Sequence, residues 1–396
     1  MALPFFGNAA KDYFLVFDIG NGSVGGALVK RSVKNDDFSL EIVKSKRFEI
    51  TLTEHVGFEV LLKNMSQALE SVIRALLRDM PSKRIPAYVV LASPWYVSQT
   101  TIVTVKKDRP FVLSGEMEEE ILKKELDSFK EKISSKNKFP GGELQVMERN
   151  VIHARLNGYD TIRYLNKKTL EAKLAVYFSV VQKKVAEKII EKLNYFLPRT
   201  EIAFHSFPLA YYSALRDMFP EKKDFLMMDV SGEITDVSLV RKGILLETFS
   251  FPLGRNFLLR RISAKTKSTL SEAESLNSLL SENAASPEEK KKLGEVLRSA
   301  KTEWLREFRK ALNDLSGELY VPGEVFLAID NDVAKLFASW ISEDEFGQYS
   351  LSHKKFRVIP LSYARSMFFE KSMLTDHDQF IDIEALFAEK LIEVAS

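Results

Sequence analysis

Two stretches of the sequence, 211 positions apart, each place an aspartate at the end of an apolar run and a glycine shortly after it. The first is Asp18-Ile19-Gly20-Asn21-Gly22-Ser23, and the second is Asp229-Val230-Ser231-Gly232-Glu233-Ile234-Thr235-Asp236. The amide groups of a tight glycine-bearing turn can hold phosphate oxygens, and paired aspartates can hold a hydrated divalent cation. We therefore predict a site that clamps a phosphate chain from two sides, with Asp18 and Asp229 as the metal ligands.

Each aspartate lies between two strand-like apolar runs, which predicts a strand-turn-strand hairpin at both places. A repeat at this interval indicates two similar half-molecules that face each other, since solenoid repeats recur about every 20–50 residues. An ordinary hairpin is the alternative for the first turn, because Asn21-Gly22 is by itself a strong hairpin signal. The second copy at Asp229 favours the ligand-binding interpretation, in which Gly20 and Gly22 let the turn amides approach a phosphate.

The elements around the first hairpin predict a ribonuclease-H-like half. Three strand-like runs cover Tyr13 to Gly20, Ser23 to Lys30 and Phe38 to Ile50. A helix follows from Leu61 to Met80, because apolar residues keep a helical spacing there until a proline stops it. Tyr88 to Ala92 is then a buried strand, which completes the pattern strand-strand-strand-helix-strand.

The region from about Tyr88 to Ala175 has the character of an insertion. Gly115 to Ile133 is predicted to be a charged helix with Ser114 as its N-cap. Strands are predicted at Gln145 to Arg155 and at Leu170 to Val181. A helix from Lys183 to Phe196 then belongs to the first half again.

The second half begins at Phe225, with strands that continue to Phe251. A helical block runs from Ser271 to about Leu315 and contains two predicted capping boxes, Ser271-x-x-Glu274 and Ser286-Pro287-Glu288-Glu289. The remaining predicted elements are a strand at Val325 to Ile329, a helix at Asp332 to Ile341, a strand at Phe356 to Leu361 and a closing helix at Asp382 to Ser396.

The composition indicates a cytoplasmic protein with two domains of ordinary size. The 396 residues are 45% hydrophobic, which is enough for two cores. The net charge of +2 argues against a nucleic-acid partner, and the absence of cysteine excludes thiol chemistry. No apolar run approaches the roughly 18 residues of a membrane span, and Met1 to Gly7 is too short for a signal peptide. Five scattered histidines predict no metal site.

Taken in order, the motifs resemble those of the bacterial actin homologues typified by the division protein FtsA and the pilus-assembly protein PilM. The two aspartate-bearing turns are similar to the family's two phosphate motifs, and Phe207-Pro208-Leu209-Ala210 is similar to its connecting motif. Pro252-Leu253-Gly254-Arg255-Asn256 resembles the proline-x-glycine-glycine segment, and Ala273-Glu274-Ser275-Leu276-Asn277 resembles the Ala-Glu-x-x-Lys segment. The resemblance covers nearly the whole chain, and Ile152 to Val176 is similar to the extra subdomain of FtsA-type proteins.

The resemblance implies an α/β, actin-like (ribonuclease-H-like) two-domain fold with an inserted α+β subdomain in the first half. The expected division is 11–87 and 176–224 for the first actin-like half, 88–175 for the inserted subdomain, 225–262 and 316–350 for the second half, 263–315 for its helical subdomain, and 351–396 for a strand and helix that return to the first half.

The same resemblance implies a nucleotide site with ATP and Mg²⁺ as cofactors. Asp18 and Asp229 would bind the metal ion. The residues expected to bind the cofactor are Asp18, Gly20, Asn21, Gly22, Ser23, Asp229, Ser231, Gly232, Thr235, Gly254, Glu274, Asn277 and Asp330.

Four departures from the family pattern predict weak binding of Mg-ATP and slow or absent hydrolysis. Ser231 replaces a glycine, and Glu233 puts a carboxylate near the phosphates, where like charges repel by about 4 kcal/mol at an effective dielectric near 20. The glycine pair expected beside the adenine reads Ala328-Ile329-Asp330-Asn331-Asp332, and Asn277 replaces a lysine expected near the ribose. Glu274 matches the pattern, although a capping box explains it equally well.

The resemblance leaves several functional classes open. An FtsA-like nucleotide-binding scaffold, which polymerises and links division or envelope machinery to cytoplasmic partners, is favoured modestly by the inserted subdomain. The alternatives are a PilM-like platform for type IV pilus assembly and a nucleotide-free pseudo-ATPase scaffold. A small-molecule kinase is the least favoured class, because no motif for a base aspartate is present and fold alone does not fix function.

The closing helix decides how we expect the chain to meet a membrane. FtsA proteins usually end in a basic amphipathic helix, whereas the polar face here carries mainly acidic residues: Asp382, Glu384, Glu389 and Glu393 against Lys390. An anionic bilayer would repel that face, so we expect membrane contact only through a partner. The expected partners are further copies of the chain or division or pilus proteins, and Leu386, Phe387 and Leu391 are expected to be core.

Overall fold

The computed structural model of the chain describes residues 12–34, 37–50, 57–81, 84–135, 142–281, 286–317, 320–343, 346–349, 355–361, 368–369 and 378–395. Within this part the strands are β1 (Tyr13–Ile19), β2 (Ser23–Lys34), β3 (Asp37–Glu49), β4 (Ala87–Leu91), β5 (Tyr96–Val112), β6 (Leu144–Leu156), β7 (Tyr159–Asp160), β8 (Lys168–Gln182), β9 (Ile202–Ser206), β10 (Phe225–Val230), β11 (Thr235–Arg241), β12 (Ile244–Phe251), β13 (Glu324–Ile329) and β14 (Arg357–Pro360). The α-helices are α1 (Phe58–Leu76), α2 (Gly115–Ser135), α3 (Lys183–Phe196), α4 (Phe207–Met218), α5 (Arg255–Thr266), α6 (Leu270–Ser281), α7 (Pro287–Ser316), α8 (Asn331–Glu343) and α9 (Gln379–Ala395).

Two five-stranded sheets share one strand order and one set of strand directions. The order is β3-β2-β1-β4-β9 in the first sheet and β12-β11-β10-β13-β14 in the second. In each sheet the first three strands are antiparallel, and the last two run parallel to the central strand. The ribonuclease-H-like half is therefore present twice, which confirms the predicted fold class.

The central strands β1 and β10 are almost wholly buried, which explains their nearly unbroken apolar sequences. Helices cover both faces of each sheet, so these strands need no alternation of polar and apolar residues. The register places Asp18 opposite Gly25 on β2, and Asp229 opposite Asp236 on β11. The two aspartates thus lie at equivalent positions, one residue before the end of the central strand.

A third sheet has four strands in the order β5-β8-β6-β7. Helix α2 packs on this sheet through Leu122, Phe129 and Ile133, and the Phe129 ring stacks on Phe178 with 6.1 Å between centroids. This sheet runs from residue 96 to residue 182, whereas β4, which falls within the predicted insertion of 88–175, pairs with β1 and β9. The division of the chain into domains stays a prediction.

Helices α4 and α9 lie between the two five-stranded sheets, where they share one apolar cluster with residues of β1, β2, β10 and β13. Phe387 of α9 is 5% exposed, and its ring meets that of His205 edge-on at 4.9 Å. Leu386 is also buried, and Leu391 is partly buried against the same cluster. The prediction that these residues of the closing helix are core is confirmed. No helix in the described part of the chain has the length and apolar character of a membrane span.

The ends of the helices test the predicted caps. Ser114 caps α2 as predicted, since its Oγ accepts a hydrogen bond from Met117 N at 3.3 Å. Helix α7 begins at Pro287, as the Ser286-Pro287 pattern predicts, and the side-chain contacts of Glu289 lie outside the described residues.

The predicted capping box at Ser271 and Glu274 is wrong. Helix α6 begins at Leu270, and its capping box is formed by Thr269 and Glu272. The backbone N–H of Thr269 donates to Glu272 Oε2 at 2.7 Å, and Glu272 N donates to Thr269 Oγ1 at 3.3 Å. Both pairs fit the spacing of the motif, but the carboxylate of Glu274 is taken by an ion pair with Arg255 and so does not cap the helix.

Candidate functional site

The first turn, between β1 and β2, is fixed by its own backbone and by neighbours in the first half. Gly20 N donates to Ser23 O at 3.0 Å, and Trp95 Nε1 donates to Gly20 O at 2.7 Å. Ile50 N donates to Gly22 O at 2.7 Å. A Cβ at Gly20 would lie 2.9 Å from Ser23 O, so the tight closure of this turn requires glycine there.

The second turn, between β10 and β11, is held by the segment that leads into α5. Arg255 N donates to Ser231 O at 2.8 Å, and Asn256 N donates to Gly232 O at 2.7 Å. A Cβ at Gly254 would lie 2.2 Å from Ser231 O, so only glycine allows this approach. Thr235 Oγ1 donates to Leu253 O at 2.7 Å, which is a structural role inside the second half.

The two turns contact each other directly. A Cβ at Gly232 would lie 2.5 Å from Gly22 Cα, and a Cβ at Gly22 would lie 2.7 Å from Gly232 Cα. The buried side chain of Asn21 joins the two turns: its Nδ2 donates to Ser231 Oγ at 3.2 Å, and its Oδ1 accepts from Glu233 N at 2.6 Å. These turn groups, which were predicted to hold phosphates, therefore bond to the opposite half.

Asp18 is paired with an arginine. The Asp18 carboxylate is 4% exposed and accepts a hydrogen bond from Arg47 Nη2 at 2.7 Å. Arg47 comes from β3, and it also donates to Ser23 Oγ at 2.8 Å and to Asp378 Oδ2 at 2.8 Å. Burial raises the pKa of Asp18, and the Arg47 charge opposes that effect.

Helix α9 places a second buried carboxyl group beside Asp18. Glu384 is fully buried, and burial raises its pKa well above the usual range, with the charge of Asp18 acting in the same direction. The neighbouring Asp378 begins α9, where its Oδ1 accepts from Phe380 N at 3.1 Å. Arg47 therefore pairs with Asp18 and Asp378, and its charge also acts on Glu384 of α9.

Asp229 has different surroundings from Asp18. Its Oδ1 is buried and has no hydrogen-bond partner, and within the described residues it forms no salt bridge. Burial raises the pKa of Asp229 well above the usual range, and the charges of Asp236 and Asp18 add to the shift. Asp236 Oδ2 accepts from Ser93 Oγ at 2.7 Å, and burial raises the pKa of Asp236 to about 6.

A second buried arginine, Arg255, contacts further residues that were predicted to bind the cofactor. Arg255, at 6% exposed, pairs with Glu274 at 2.5 Å, with Asp332 at 3.0 Å and with Asp330 at 3.5 Å. The buried Asn277 joins this group, since its Nδ2 donates to Asp332 O at 2.7 Å. Burial raises the pKa of Asp330 to about 7, although the charges of Arg47 and Arg255 oppose the shift.

The carboxylate of Glu233 is neutralised within its own half. Arg260 Nη2 and Nη1 lie 2.7 and 2.8 Å from its two oxygens, and Asn256 Nδ2 donates to it at 3.0 Å. The repulsion of phosphates that the sequence predicts is thereby offset by the Arg260 charge.

The structure thus brings the predicted residues into two neighbouring groups and adds three that the sequence analysis did not select. The added residues are Arg47, Arg255 and Glu384. Arg255 follows Gly254 in a segment that was already noticed, so its position was a usable signal. Arg47 lies in a strand with alternating polar residues, and Glu384 lies on the acidic polar face of the closing helix, so neither carried a signal. Among the described residues, no group of three or more His, Asp or Glu side chains is arranged to hold a metal ion.

Comparison with solved structures places this architecture among known folds. The chain is similar to a structure described as a PilM-PilN type IV pilus biogenesis complex, with a TM-score of 0.61 and 16% identity over 96% of this chain and 98% of that chain. The chain has the actin-like ATPase fold. No protein-family model matches it, and no curated protein matches it.

Two further structures are similar at lower scores. A Bacteroides thetaiotaomicron protein, described as having an actin-like ATPase fold and unknown function, matches with a TM-score of 0.42 and 12% identity over 96% of this chain and 97% of that chain. An activator of the 2-hydroxyisocaproyl-CoA dehydratase from Clostridium difficile, with bound ADPNP, matches with a TM-score of 0.40 and 13% identity over 97% and 96%.

A nucleotide with its metal ion does not fit between the two turns in this conformation. Gly22 and Gly232 are already in contact, and the amide of Glu233 donates to Asn21. A phosphate chain could enter only if the turns separated, and a metal ion at Asp18 would have to displace Arg47. The arrangement is suited to holding two halves together, and the phosphate-binding role of these residues stays a prediction.

Proposed function

We propose that this chain is an actin-fold scaffold that binds other proteins and turns over ATP slowly or not at all. The observation that carries the proposal is the contact between the two turns, with Asn21 bonded to Ser231 and Glu233 across it. In a nucleotide-dependent site these amides and glycines would be turned towards phosphates. Here the amide of Glu233 donates to Asn21 and Gly22 approaches Gly232 closely, so contacts between the two halves occupy the place expected for the phosphates.

The charges around Asp18 support the same proposal. Arg47 places a guanidinium 2.7 Å from the carboxylate at which a divalent cation was predicted. A counter-charge stabilises a buried carboxylate, and Arg47 supplies it at Asp18. ATP and Mg²⁺ would then bind weakly, because binding must first break the contacts between the turns and the Asp18–Arg47 pair.

Among scaffolds of this fold, we propose a role in pilus assembly and not in division. The similarity to the PilM-PilN structure extends over nearly the whole of both chains and supports this choice. Helix α9 supports it as well, because its buried Phe387 makes it part of the core and not a free membrane helix. In this role the chain would lie at the cytoplasmic face of the membrane, bound to pilus proteins and to further copies of itself.

Nucleotide binding and turnover test the scaffold proposal. We expect calorimetry with Mg-ATP to give a Kd of about 1 mM or weaker, and steady-state turnover to be far below the roughly 10 per second of a median enzyme. The matched variant is Asn21→Ala, which removes the bond across the turns and should bind Mg-ATP more tightly than the wild type. Micromolar affinity in the wild type, or turnover at enzyme-like rates, would refute the proposal.

A genetic test separates the pilus role from the division role. Deletion of the gene in its native host is expected to abolish surface pili while cells divide at normal length. Filamentous cells with intact pili would instead support an FtsA-like division role. Complementation by the wild-type chain controls for effects on neighbouring genes.

A further inference from the structure

The proposed scaffold function assigns no role to one end of the four-stranded sheet. At this end β5 finishes against the beginning of β8, where Val112 pairs with Lys168, and β6 turns into β7, where Leu156 pairs with Tyr159. We call residues 106–112 and 155–171 the distal end. Strand β5 begins next to β4, and β8 ends next to α3; β4 and α3 join the sheet to the first half. The distal end is at the opposite ends of these strands.

Large apolar side chains are exposed at the distal end. Tyr159, in β7, is 79% exposed, and Ile162, on the connection from β7 to β8, is 91% exposed. Val112 and Leu170, on the adjoining strands, are 50% and 45% exposed. Isolated exposed apolar residues are common on soluble proteins, but these four come from the same end of one small sheet, which marks that end as a candidate contact surface.

The connection that carries these residues is held in place by hydrogen bonds. Asn157 Oδ1 accepts from Leu170 N at 2.9 Å, and Asn166 N donates to Leu113 O at 2.8 Å. Tyr164 turns inwards, and its hydroxyl donates to Glu118 Oε1 at 2.6 Å. Ile162 is therefore presented outwards by a segment that is held in place by these backbone bonds and by the Tyr164 side chain.

Basic side chains surround the exposed apolar residues. The distal end contains seven basic and three acidic residues, a net charge of +4 in a chain whose total is +2. Arg155 is paired with Asp160 at 3.0 Å. Five others are exposed and form no ion pair with any described residue: Lys106, Arg109, Arg163, Lys167 and Lys168. The pairing of β5 with β8 shifts register between Lys106 and Phe111. Arg109 lies in this interrupted stretch of β5.

We propose that the distal end docks on the anionic surface of a lipid bilayer. An anionic surface attracts clustered Lys and Arg side chains, and exposed aliphatic and aromatic side chains can enter the region of the headgroups. A projecting tip suits a bilayer, which yields to an inserted side chain, whereas a folded protein partner would have to offer a matching pocket. This contact adds to the partner-mediated attachment proposed above and uses a different part of the chain from the acidic helix α9.

Vesicle co-sedimentation of the full chain tests the proposal. The chain is expected to pellet with vesicles that contain phosphatidylglycerol and to remain soluble with vesicles of phosphatidylcholine alone. Raising the salt to about 0.5 M should release the chain, since the screening length falls to a few ångströms. A chain that stays in the supernatant with anionic vesicles at low salt overturns the proposal and leaves the distal end as a protein-binding surface.

Paired variants locate the contact. Tyr159→Ser with Ile162→Ser, and separately Lys167→Glu with Lys168→Glu, are each expected to lower the affinity for anionic vesicles about tenfold or more. Tyr195→Ser is the matched control, because Tyr195 is 78% exposed but lies on α3, away from the distal end. Thermal unfolding should be unchanged in all three, since no altered side chain is buried. Equal vesicle binding by the distal variants and the control would place the contact elsewhere and refute the proposal.

Discussion

The hairpins at Asp18 and Asp229 have the same place in two equivalent sheets, yet their electrostatic surroundings are opposite. Asp18 is bonded to Arg47, whereas Asp229 has an oxygen without a partner and faces Asp236. The cross-strand neighbours explain the difference. Gly25 lies opposite Asp18, and a Cβ there would come within 2.7 Å of Arg47 Nη2. Gly25 leaves room for the Arg47 side chain beside Asp18. At the equivalent position of the second hairpin, Asp236 adds a negative charge beside Asp229.

This comparison teaches that a duplicated motif need not have duplicated chemistry. The central strand and its turn set the position of each carboxylate, but strands and helices remote in sequence set its charge balance. Arg47 of β3 forms its hydrogen bond with the aspartate of the first hairpin, and Glu384 of α9 lies beside the same aspartate. The second hairpin keeps a carboxyl group whose pKa is raised well above the usual range by burial and by neighbouring acids.

The largest expected effect comes from helix α9, which borders Asp18. Phe387→Ala should lower the free energy of unfolding by about 3–5 kcal/mol, because it leaves a cavity in the cluster between the sheets. Tyr195→Ala is the control, since that exposed ring should change stability by about 0.5 kcal/mol or less. Urea unfolding of both variants gives the comparison, and similar midpoints would contradict the placement of α9 in the core.

Removal of Arg47 should leave Asp18, like Asp229, buried without a salt bridge to any residue in the described part of the chain. Arg47→Ala is expected to cost about 3 kcal/mol of stability, because Asp18 and Asp378 lose their shared counter-charge. Arg149→Ala breaks an exposed pair with Glu119 and should cost about 1 kcal/mol or less. Urea unfolding at neutral pH measures both, and a loss for Arg47→Ala no larger than that for Arg149→Ala would contradict the role assigned to Arg47.

Filling the space opposite Asp18 should displace the arginine without removing it. Gly25→Ala is expected to destabilise the chain by about 1–3 kcal/mol, because the new methyl group meets the Arg47 guanidinium. Gly57→Ala is the control, since a Cβ at that position has no heavy atom within 4 Å. Thermal unfolding measures the difference, and an unchanged melting temperature for Gly25→Ala would mean that the glycine is not what admits Arg47.

The smallest effect should be a gain in stability at the second hairpin. Asp229→Asn is expected to raise the free energy of unfolding at pH 8 by about 1–2 kcal/mol, because it removes a buried charge without a partner. The folded pKa of Asp229 is raised above the unfolded value of about 4, so its carboxyl lowers stability as the pH rises through the folded pKa. The gain should therefore disappear below about pH 4.

Asp18→Asn provides the comparison for that variant. It removes a charged partner of Arg47, so it should give a smaller gain than Asp229→Asn or a loss at the same pH. Unfolding of the two variants followed from pH 4 to pH 8 distinguishes the hairpins. Identical pH profiles would mean that the surroundings of the two aspartates do not differ as described.

The sequence predicted the fold well because its main signals are local. Buried strands appear as apolar runs, and the turn residues Gly20 and Gly22 mark the strand ends by themselves. The bounds of α3 were predicted to the residue for the same reason. Local patterns also mislead, since Ser271 and Thr269 both begin a fitting capping box, and only the ion pair of Glu274 with Arg255 decides between them.

The charge balance of the candidate site could not be predicted, because it depends on contacts between distant segments. Arg47 meets Asp378 across 331 positions, and Asn21 meets Glu233 across 212. Neither contact leaves a periodic pattern in the sequence. The sequence placed Glu384 and Glu389 on the polar face of α9, but both are buried, and Glu389 pairs with Arg31.

The direct contact between the two turns is the central claim, and an engineered disulfide tests it most directly. The chain has no cysteine, so Asn21→Cys combined with Ser231→Cys introduces the only two thiols, at side chains that are in contact. We predict that the disulfide forms under mild oxidation without nucleotide, and at the same rate when about 1 mM Mg-ATP is present. Each single variant controls for cross-links between chains. Failure to form the disulfide would show that the turns are apart without nucleotide, and strong protection by Mg-ATP would show that a nucleotide enters between them; either result would contradict this account.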